Sequence, residues 1–362
     1  MKQYKTTSNI CLPLLHQWFS TGTESKYQID NLVIINHPED AERICKNHVK
    51  KAPVFKSFLY NSIISTTDNA DWKAQRSFMN MAFIPTLSLQ KVFPISVERA
   101  SKCSQLLKDM SDHYSKSVNM SEFFLHETQA QLQLSLFGSD SEFEQQTNRL
   151  LRNCFSGYEK PGTTRKICLD MREKILSGTF TGPLSKRLID SPQQTDTELY
   201  ANIMLFFFAG HDTTGHTLTW LFYELSRNPL IQHKLQFEVD EFFRVQYNRP
   251  IEYDDLQRLP YMKRCIAETL RLWPALANGT FRELQQDDWI TIGNNKNRSQ
   301  TVWLPKGTYL QIPTIFRHRS KELWGDDAEC FNPDRNFTEE EIWGDENMSG
   351  RSMESERYSP FS

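Results

Sequence analysis

The sequence predicts a mainly α-helical fold with a small β-rich portion, and three observations support this expectation. One apolar segment with capping residues at both ends runs from Thr195 to Asn228. Two further segments of helical periodicity follow, one from Pro229 and one across "LPYMKRCIAETLRLWP". Beyond them, "DWITIGNNKNRSQTVWLPKGTYLQIP" has short runs of Ile, Thr, Val and Tyr around a polar turn, which predicts small β-hairpins.

The first part of the chain predicts a strand followed by helices. In "YQIDNLVIINHPEDAERICKN" an apolar run leads into a turn at His37-Pro38 and then into a helical pattern. Glu39 and Asp40 fall in the first turn of that helix, where the helix dipole favours carboxylates. From "DWKAQRSFMNMAF" to "LRNCFSGYEK" the pattern is helical, with polar breaks such as the one near Gly138.

The apolar segment from Thr195 predicts a single long helix. Thr195 and Glu198 have the spacing of a capping box, and Asn228-Pro229 closes the segment. A helix of roughly 30 residues would be about 45 Å long. Its high apolar content predicts a central helix that is buried on most sides.

The overall composition excludes some classes of protein. The 362 residues carry a formal net charge of -3 with a pI near 6.3, which gives no indication of a nucleic-acid partner. The segment before the predicted strand has only a short apolar patch broken by Pro13 and His16. It therefore predicts neither a membrane-spanning helix nor a signal peptide.

The cysteines predict neither a zinc site nor a disulfide scaffold. They show no C-x-x-C pair and no clustering with histidines, so a reducing compartment is expected. The seven positions are Cys11, Cys45, Cys103, Cys154, Cys168, Cys265 and Cys330.

The central helix contains polar residues where burial would favour apolar ones. Phe206, Gly210, Thr213 and Thr217 recur at helical spacing, and the missing side chain of Gly210 leaves a gap. Beside it lies Asp212, and a carboxylate is almost never buried without a partner or a chemical role. Two interpretations stay open: a site that something bulky approaches, or a simple bend in which Thr213 bonds back to the Ala209 carbonyl.

Two other pairs are ambiguous when each is considered alone. Glu268 and Arg271, at i and i+3, have the spacing of an ordinary surface salt bridge. Trp72 and Arg76, at i and i+4, could form an amphipathic edge with a cation near an aromatic ring. Arg76 could equally bind a ligand carboxylate, since arginine is the preferred bidentate partner of carboxylates.

The combination and order of these motifs are more specific than any one of them. "WKAQR", "FFFAGHDTT", "LPYMKRCIAETLRLWP", "LPKGTYLQIP" and "HRSKELWGDDAECFNPDRNF" follow one another along the chain. Together they resemble the haem-thiolate monooxygenases of the cytochrome P-450 superfamily. The resemblance extends from about Leu32 to the end of the chain.

The resemblance implies roles for individual residues. Asp212 and Thr213 would be the catalytic acid-alcohol pair that relays protons to bound dioxygen. Glu268, Arg271 and Arg335 would form a buried network, and His318 would be structural. The residues implied to bind the cofactor, through the haem propionates or along the oxygen-binding groove, are Trp72, Arg76, Ala209, Gly210, Thr214 and Arg282.

The resemblance also implies a reaction and its partners. The function would be insertion of one oxygen atom from dioxygen into a small lipophilic organic substrate. The cofactor would be haem b, iron protoporphyrin IX, with electrons from NADPH through a reductase partner. Association with the cytosolic face of the endoplasmic reticulum membrane is the family expectation, although no transmembrane segment is predicted in this chain.

One feature of the family is not found in this sequence. The family holds iron by a cysteine in a loop Phe-x-x-Gly-x-Arg-x-Cys-x-Gly, of which Phe361-Ser362 resemble the first two residues. We therefore expect one incomplete cytochrome P-450-like domain over residues 1–362, lacking segments at both ends, with the axial cysteine beyond Ser362. No metal ligand is predicted within the chain, since Cys330 lacks the surrounding glycines and arginine. The acidic, Ser-rich tail from Thr338 to Ser362 predicts turns.

An alternative function follows from the missing ligand. Electron donation by an axial thiolate favours O–O cleavage, so a chain without it would lack that chemistry. The alternative is a non-catalytic helical fragment or pseudoenzyme that binds a lipid or a protein partner.

Overall fold

The computed structural model describes residues 32–83, 85–113, 115–155, 161–190, 195–246, 249–292, 300–343, 355 and 357–360. Within these ranges the fold is mainly α-helical with a small β portion, as the sequence predicts. The helices are α1 (Pro38–Asn47), α2 (Lys56–Leu59), α3 (Asn69–Asn80), α4 (Pro85–Met110), α5 (Met120–Leu132), α6 (Ser141–Phe155), α7 (Pro161–Leu176), α8 (Pro183–Asp190), α9 (Asp196–Arg227), α10 (Pro229–Gln246), α11 (Pro260–Leu272), α12 (Thr314–His318), α13 (Lys321–Trp324) and α14 (Glu339–Trp343). The strands are β1 (Leu32–Ile34), β2 (Thr280–Glu283), β3 (Asp288–Ile292), β4 (Gln300–Leu304) and β5 (Tyr309–Ile312). Two 3₁₀ turns (Pro53–Phe55 and Tyr253–Arg258) and a π-helical turn after α5 (Gln133–Phe137) complete them.

Helix α9 is the long central helix that the sequence predicts. It has 32 residues, and the Thr195 hydroxyl and the Glu198 carboxylate form the reciprocal bonds of a capping box. Its first half is the most deeply buried part, with Ile203 and Phe207 fully inaccessible to solvent. These side chains form the main hydrophobic core together with residues of α5 to α8.

Helix α5 packs along α9 at very short range because α9 has glycine at two facing positions. A Cβ atom on Gly210 would lie 2.7 Å from Cδ1 of Leu132. One on Gly215 would lie 2.8 Å from Cδ2 of Leu125 and 3.1 Å from its Cα. Between these points the Thr128 hydroxyl of α5 lies 2.9 Å from the carbonyl oxygen of His211. Leu132 therefore fills the gap that the sequence indicates at Gly210, in the direction that a side chain there would take.

The strands form two sheets. β3 and β4 make the predicted antiparallel hairpin, in which Trp289 lies opposite Trp303. β5 does not continue that hairpin; it lies between β1, to which it is parallel, and β2, to which it is antiparallel. Leu310 and Ile312 of β5 are buried, and β5 is stabilised by a partner strand on each of its two edges.

The predicted strand, turn and helix near residues 32–47 are confirmed as β1 and α1. Polar contacts bind this unit to the hairpin. The Arg43 Nη1 lies 2.6 Å from Oδ1 of Asp288, and Nε2 of the buried His48 lies 2.8 Å from Oδ2 of the same residue. The prediction that the chain has no signal peptide or membrane-spanning segment at its start concerns residues 1–31, which lie outside the described residues. Among the described helices, none combines the length and apolarity that crossing a bilayer requires.

The prediction of turns after Thr338 is wrong for one segment, which forms helix α14. The Thr338 hydroxyl accepts from the Glu341 amide, and the Glu341 carboxylate accepts from the Thr338 amide. Glu341 is fully buried because the Arg357 guanidinium and the Ser355 hydroxyl donate to the same carboxylate. These partners arrive from a later segment, so the sequence pattern alone did not indicate them. Phe361 and Ser362 lie outside the described residues.

Gly215→Ala is expected to destabilise the protein by about 1–3 kcal/mol. The added methyl group would lie 3.1 Å from the Leu125 Cα, so helix α5 would have to move. This cost exceeds the gain of up to about 1 kcal/mol that alanine brings over glycine within a helix. Urea unfolding followed by circular dichroism measures the change in the free energy of unfolding.

Gly162 in the first turn of α7 provides a matched control, because a Cβ atom there meets no described atom within 4 Å. Gly162→Ala should leave the free energy of unfolding unchanged or raise it by up to about 1 kcal/mol. Equal destabilisation by both substitutions would contradict the close-packing account.

Candidate functional site

The packing of α5 decides which face of α9 is left for chemistry. Successive residues of an α-helix are about 100° apart, so Ala209, Asp212, Thr213 and His216 project from the side opposite to the α5 contact, whose middle lies between the directions of Gly210 and Gly215. All four are partly buried, whereas Thr214 is exposed. One face of α9 therefore carries the predicted catalytic pair, Asp212 and Thr213, and the predicted cofactor residue Ala209. The Cβ direction of Gly210 and the side chain of Thr214 point away from the middle of that face.

Thr213 makes the helix-internal bond that one interpretation of the sequence required. Its hydroxyl donates to the Ala209 carbonyl at 2.9 Å, and the Thr217 hydroxyl donates to the Thr213 carbonyl at 2.9 Å. The Thr213 hydroxyl oxygen keeps its capacity to accept, so the bond to Ala209 leaves it able to receive a proton donor from outside the helix. The bend and the chemical role are thus compatible.

His216 is a neighbour of the acid-alcohol pair that the sequence analysis did not identify. Its Nδ1 lies 2.8 Å from the Asp212 carbonyl oxygen and 3.3 Å from the Asp212 carboxylate. The hydrogen bond with the Asp212 side chain raises the His216 pKa above its ordinary value, although partial burial acts in the opposite direction. The i, i+4 spacing of "DTTGH" could have indicated this pair.

A second group of residues brings three cationic side chains together. Arg76 lies 5.3 Å from the centre of the Trp72 ring, and the Lys51 ammonium lies 5.4 Å from the same ring. Arg282 of β2 joins them through a β-bridge with Lys51. Burial, together with the charges of Arg282 and Arg76, lowers the pKa of Lys51 to about 8. We call Lys51, Arg76 and Arg282, with Trp72, the basic cluster.

The basic cluster has unused capacity to bind an anion. None of the described carboxylates forms an ion pair with Lys51, Arg76 or Arg282; Lys51 donates to the Ile63 carbonyl at 2.9 Å and Arg282 to the Val49 carbonyl at 3.2 Å. The Arg282 Nε is buried without a described hydrogen-bond partner. Converging cations of this kind favour a ligand that carries carboxylate groups.

Asn202 connects the basic cluster to helix α9. This fully buried residue of α9 accepts a bond from the Ile63 amide at 3.0 Å and donates to the Gln75 side chain of α3 at 3.2 Å. Ile63 in turn accepts from Lys51, and Gln75 precedes Arg76. Asn202 stands seven residues before Ala209, about 10 Å along the helix axis. One side chain therefore fixes the cluster relative to the helix that carries Asp212 and Thr213.

Glu268, Arg271 and Arg335 lie together in the interior. Glu268 and Arg271 are fully buried, and two Arg271 nitrogens reach the Glu268 carboxylate at 2.6 and 2.8 Å. The Arg335 Nε lies 3.3 Å from the same carboxylate, to which the Asn332 amide also donates at 2.9 Å. The arginines use their remaining donors on the Asp327 carboxylate and on the carbonyls of His318, Trp324, Ala328 and Cys330. The network thus binds α11 to the irregular segment after α12.

His318 is buried as a neutral base. Its Nε2 accepts from the Ser359 amide at 2.9 Å, its Nδ1 lies 3.2 Å from the Arg271 carbonyl, and its ring stacks on Tyr358. Burial, reinforced by the charges of Arg317 and Arg271, lowers the His318 pKa to about 3. These contacts are structural. Within the described residues, no group of three His, Cys, Asp or Glu side chains could hold a metal ion.

The family model described as cytochrome P-450 matches residues 164–362, which is more than half of the chain. The chain belongs to the cytochrome P-450 family. Cytochrome P-450 3A12 of Canis lupus familiaris is 27% identical over 319 residues, covering 76% of this chain and 60% of that protein. Cytochrome P-450 52-M1 of Starmerella bombicola is 34% identical over 170 residues, covering 46% of this chain and 31% of that protein. Cytochrome P-450 monooxygenase 128 of Postia placenta is 32% identical over 185 residues, covering 50% of this chain and 32% of that protein.

Membership of the cytochrome P-450 family fixes the general class of the chain. The family as a whole consists of haem- and iron-binding oxidoreductases of the monooxygenase type. The alignments span less than two thirds of the length of these relatives. The family match covers α9, α11 and the buried network, whereas the basic cluster draws Lys51, Trp72 and Arg76 from the part of the chain before it.

Removing the buried carboxylate should strongly destabilise this cytochrome P-450 chain. Glu268→Gln leaves the fully buried Arg271 without its counter-charge and leaves Arg335 with Asp327 alone, and breaking a buried pair in this way costs about 3–5 kcal/mol. Chemical denaturation gives the free energy of unfolding. Glu241→Gln is the control, because the Glu241–Arg244 pair is exposed on α10 and its loss should have almost no effect. Comparable losses in the two variants would contradict the assignment of stability to the network.

The buried His318 predicts that stability falls in mild acid. With a folded-state pKa of about 3 and an unfolded value near 6.5, only the unfolded chain takes up this proton between these limits. The contribution of His318 is therefore complete above pH 6.5 and decreases below it by up to about 1.4 kcal/mol per pH unit. Unfolding free energies of wild type and His318→Gln between pH 7 and 4.5 should show a shallower dependence in the variant. Equal slopes would exclude this origin.

Proposed function

We propose that this protein is a haem-dependent monooxygenase that inserts one oxygen atom from dioxygen into a small lipophilic organic substrate. The observation that carries the proposal is the basic cluster, whose cations lack carboxylate partners among the described residues and are bound through Asn202 to the helix that bears Asp212 and Thr213. Membership of the cytochrome P-450 family supports it independently.

The basic cluster fits the two propionate groups of haem b. Trp72, Arg76 and Arg282, with Lys51 in addition, would hold these carboxylates, and the buried Arg282 Nε would gain an acceptor that it lacks among the described residues. Haem, when bound, supplies the iron chemistry that activates dioxygen. Opposite charges close to Lys51 would also raise its pKa again from about 8.

Residues of α9 would transfer protons to the space beside the haem. Ala209 has a small side chain on the same face as Asp212 and Thr213, which leaves space next to them. The Thr213 hydroxyl would turn from the Ala209 carbonyl to donate outward, with Asp212 as its source of protons. Gly210 and Thr214 are proposed to border this space, Gly210 through its backbone because its Cβ direction is occupied by Leu132.

The remaining parts of the reaction are proposed from the family. Electrons would come from NADPH through a reductase, and the full protein would act at the endoplasmic reticulum membrane. The thiolate that would hold the haem iron is proposed to come from a cysteine other than the seven in this sequence. Glu268, Arg271 and Arg335 would stabilise the segment that leads toward it, since Arg335 binds the carbonyls of Trp324, Asp327 and Cys330.

Neutralising the basic cluster should weaken haem binding. Arg76→Gln, Arg282→Gln and Lys51→Gln should each raise the haem dissociation constant about tenfold or more, because each removes a charge-assisted hydrogen bond to a propionate. Titration followed by haem absorbance measures it. Arg244→Gln, on the exposed surface of α10, should leave the haem dissociation constant unchanged.

Turnover tests the reaction itself. Haem-loaded protein that includes the iron-binding cysteine, supplied with NADPH, a reductase and a lipophilic substrate, should yield a product containing one atom of ¹⁸O from labelled dioxygen, detected by mass spectrometry. Haem binding unaffected by all three substitutions would contradict the assignment of the cluster. A wild-type protein that takes up no haem would favour the non-catalytic alternative.

A further inference from the structure

His216 is on the face of α9 that carries Asp212 and Thr213, and its ring is oriented by Asp212 alone among the described residues. Nδ1 lies 2.8 Å from the Asp212 carbonyl oxygen and 3.3 Å from a carboxylate oxygen. Both atoms accept hydrogen bonds, so in neutral His216 the hydrogen belongs on Nδ1 and Nε2 is the unprotonated nitrogen. The ring therefore has a donor aimed at Asp212 and a second nitrogen that can take up a proton.

Both side chains of this pair reach solvent. The His216 side chain is 31% exposed and that of Asp212 is 37% exposed. Thr213, next to Asp212, directs its hydroxyl into the helix toward Ala209. The imidazole and the carboxylate therefore both contact solvent, whereas the Thr213 hydroxyl is turned inward.

We propose that His216 supplies solvent protons to Asp212 for the reaction. This inference rests on the proposed monooxygenase function and adds a residue to it. His216 acts through Asp212 and is a positioning and proton-supplying residue.

The proton transfer balances without any further reactant. Water protonates Nε2 to give the imidazolium; the Nδ1 proton then moves to an Asp212 oxygen, which leaves a neutral ring protonated on Nε2. Asp212 passes its proton to the Thr213 hydroxyl or to a water beside it and becomes a carboxylate again. Loss of the Nε2 proton to solvent with reprotonation at Nδ1, or rotation of the ring, restores the starting tautomer. One proton enters from solvent for each proton delivered.

Other charged groups around α9 are engaged elsewhere or lie far away. The remaining titratable neighbour, His211, is buried on the α5 side, where burial lowers its pKa. Helices α2 and α7 approach α9 near Tyr200, about 24 Å along the axis from His216. Charged residues of the neighbouring helices that have described partners include Glu127 of α5 with Arg99 and His126, Glu122 of α5 with Arg152, Arg172 of α7 with Asp196, Lys234 of α10 with Asp334, Glu238 of α10 with the Tyr261 amide, Arg264 of α11 with the Arg335 carbonyl, and Glu268 with Arg271. Lys263 of α11 is partly buried, and its pKa is lowered by that burial.

The alternative is an ordinary i, i+4 ion pair that only supports the helix. The two roles predict different results when lysine replaces His216. His216→Lys keeps a cation four residues from Asp212, but an ammonium with a pKa near 10.4 releases its proton poorly at neutral pH. A helix-supporting pair would tolerate lysine, whereas a proton donor that must lose and regain its proton would not.

Titration of His216 by NMR tests the coupling without cofactor. In wild-type protein the His216 pKa should lie above its ordinary value near 6.5, and Asp212→Asn should lower the His216 pKa toward that value. A His216 pKa that does not respond to Asp212→Asn would overturn the proposal whatever the activity.

Turnover of the haem-loaded protein tests the relay. In wild type, product formation per NADPH consumed should fall as the pH rises through the His216 pKa, since the proton donor is then lost. His216→Gln and His216→Lys should reduce this ratio about tenfold and remove its pH dependence, and added imidazole should partly rescue His216→Gln. His233→Gln should behave as wild type.

The possible failures are distinguishable. Wild-type activity and pH profile retained in His216→Lys and His216→Gln would overturn the relay and leave the monooxygenase proposal intact. A wild-type protein that binds haem but forms no product would overturn the monooxygenase function and with it the relay.

Discussion

Helices α5 and α9 lie so close that two positions of α9 have no room for a Cβ atom. This contact fixes the rotation of α9 about its axis: with Gly210 against Leu132 and Gly215 against Leu125, Asp212, Thr213 and His216 point away from the middle of the contact. The Thr128 hydroxyl adds a polar contact to the His211 carbonyl at the same interface. The orientation of every polar side chain in the candidate site follows from a packing constraint on the other side of the helix.

The chain has two groups of buried or partly buried cations, and they differ in their partners. Arg271 and Arg335 share the Glu268 carboxylate and use their other donors on backbone carbonyls and, for Arg335, on the Asp327 carboxylate, so this group is satisfied within the protein. Lys51 and Arg282 have backbone acceptors but no described counter-charge, and burial together with the charges of Arg282 and Arg76 lowers the Lys51 pKa. The first group stabilises the fold. The second would be stabilised by the ligand carboxylates that we propose for it.

The sequence predicted elements whose determinants are local. The capping box at Thr195 and Glu198, the strand and helix near residues 32–47, and the hairpin of β3 and β4 all depend on residues close in the chain. The sequence did not predict contacts between distant segments: β5 pairs with β1 across more than 270 residues, Lys51 forms a β-bridge with Arg282, and Arg357 covers Glu341. Asn202 was not identified because a buried amide has no sequence signature apart from its partners, here Ile63 and Gln75. The family motifs indicated Asp212, Thr213, Trp72 and Arg76, since each pair lies within one helical turn, and their roles stay predictions.

Asn202 has a consequence for the proposed haem site. The bonds from Asn202 to Ile63 and Gln75 hold the loop after α2 and helix α3 against α9 with protein atoms alone. The distance between the basic cluster and the polar face of α9 is therefore set during folding, and little conformational freedom is left to be lost when a ligand arrives. Association would be limited by how quickly the ligand reaches the site, because the binding groups are preorganised in the apoprotein.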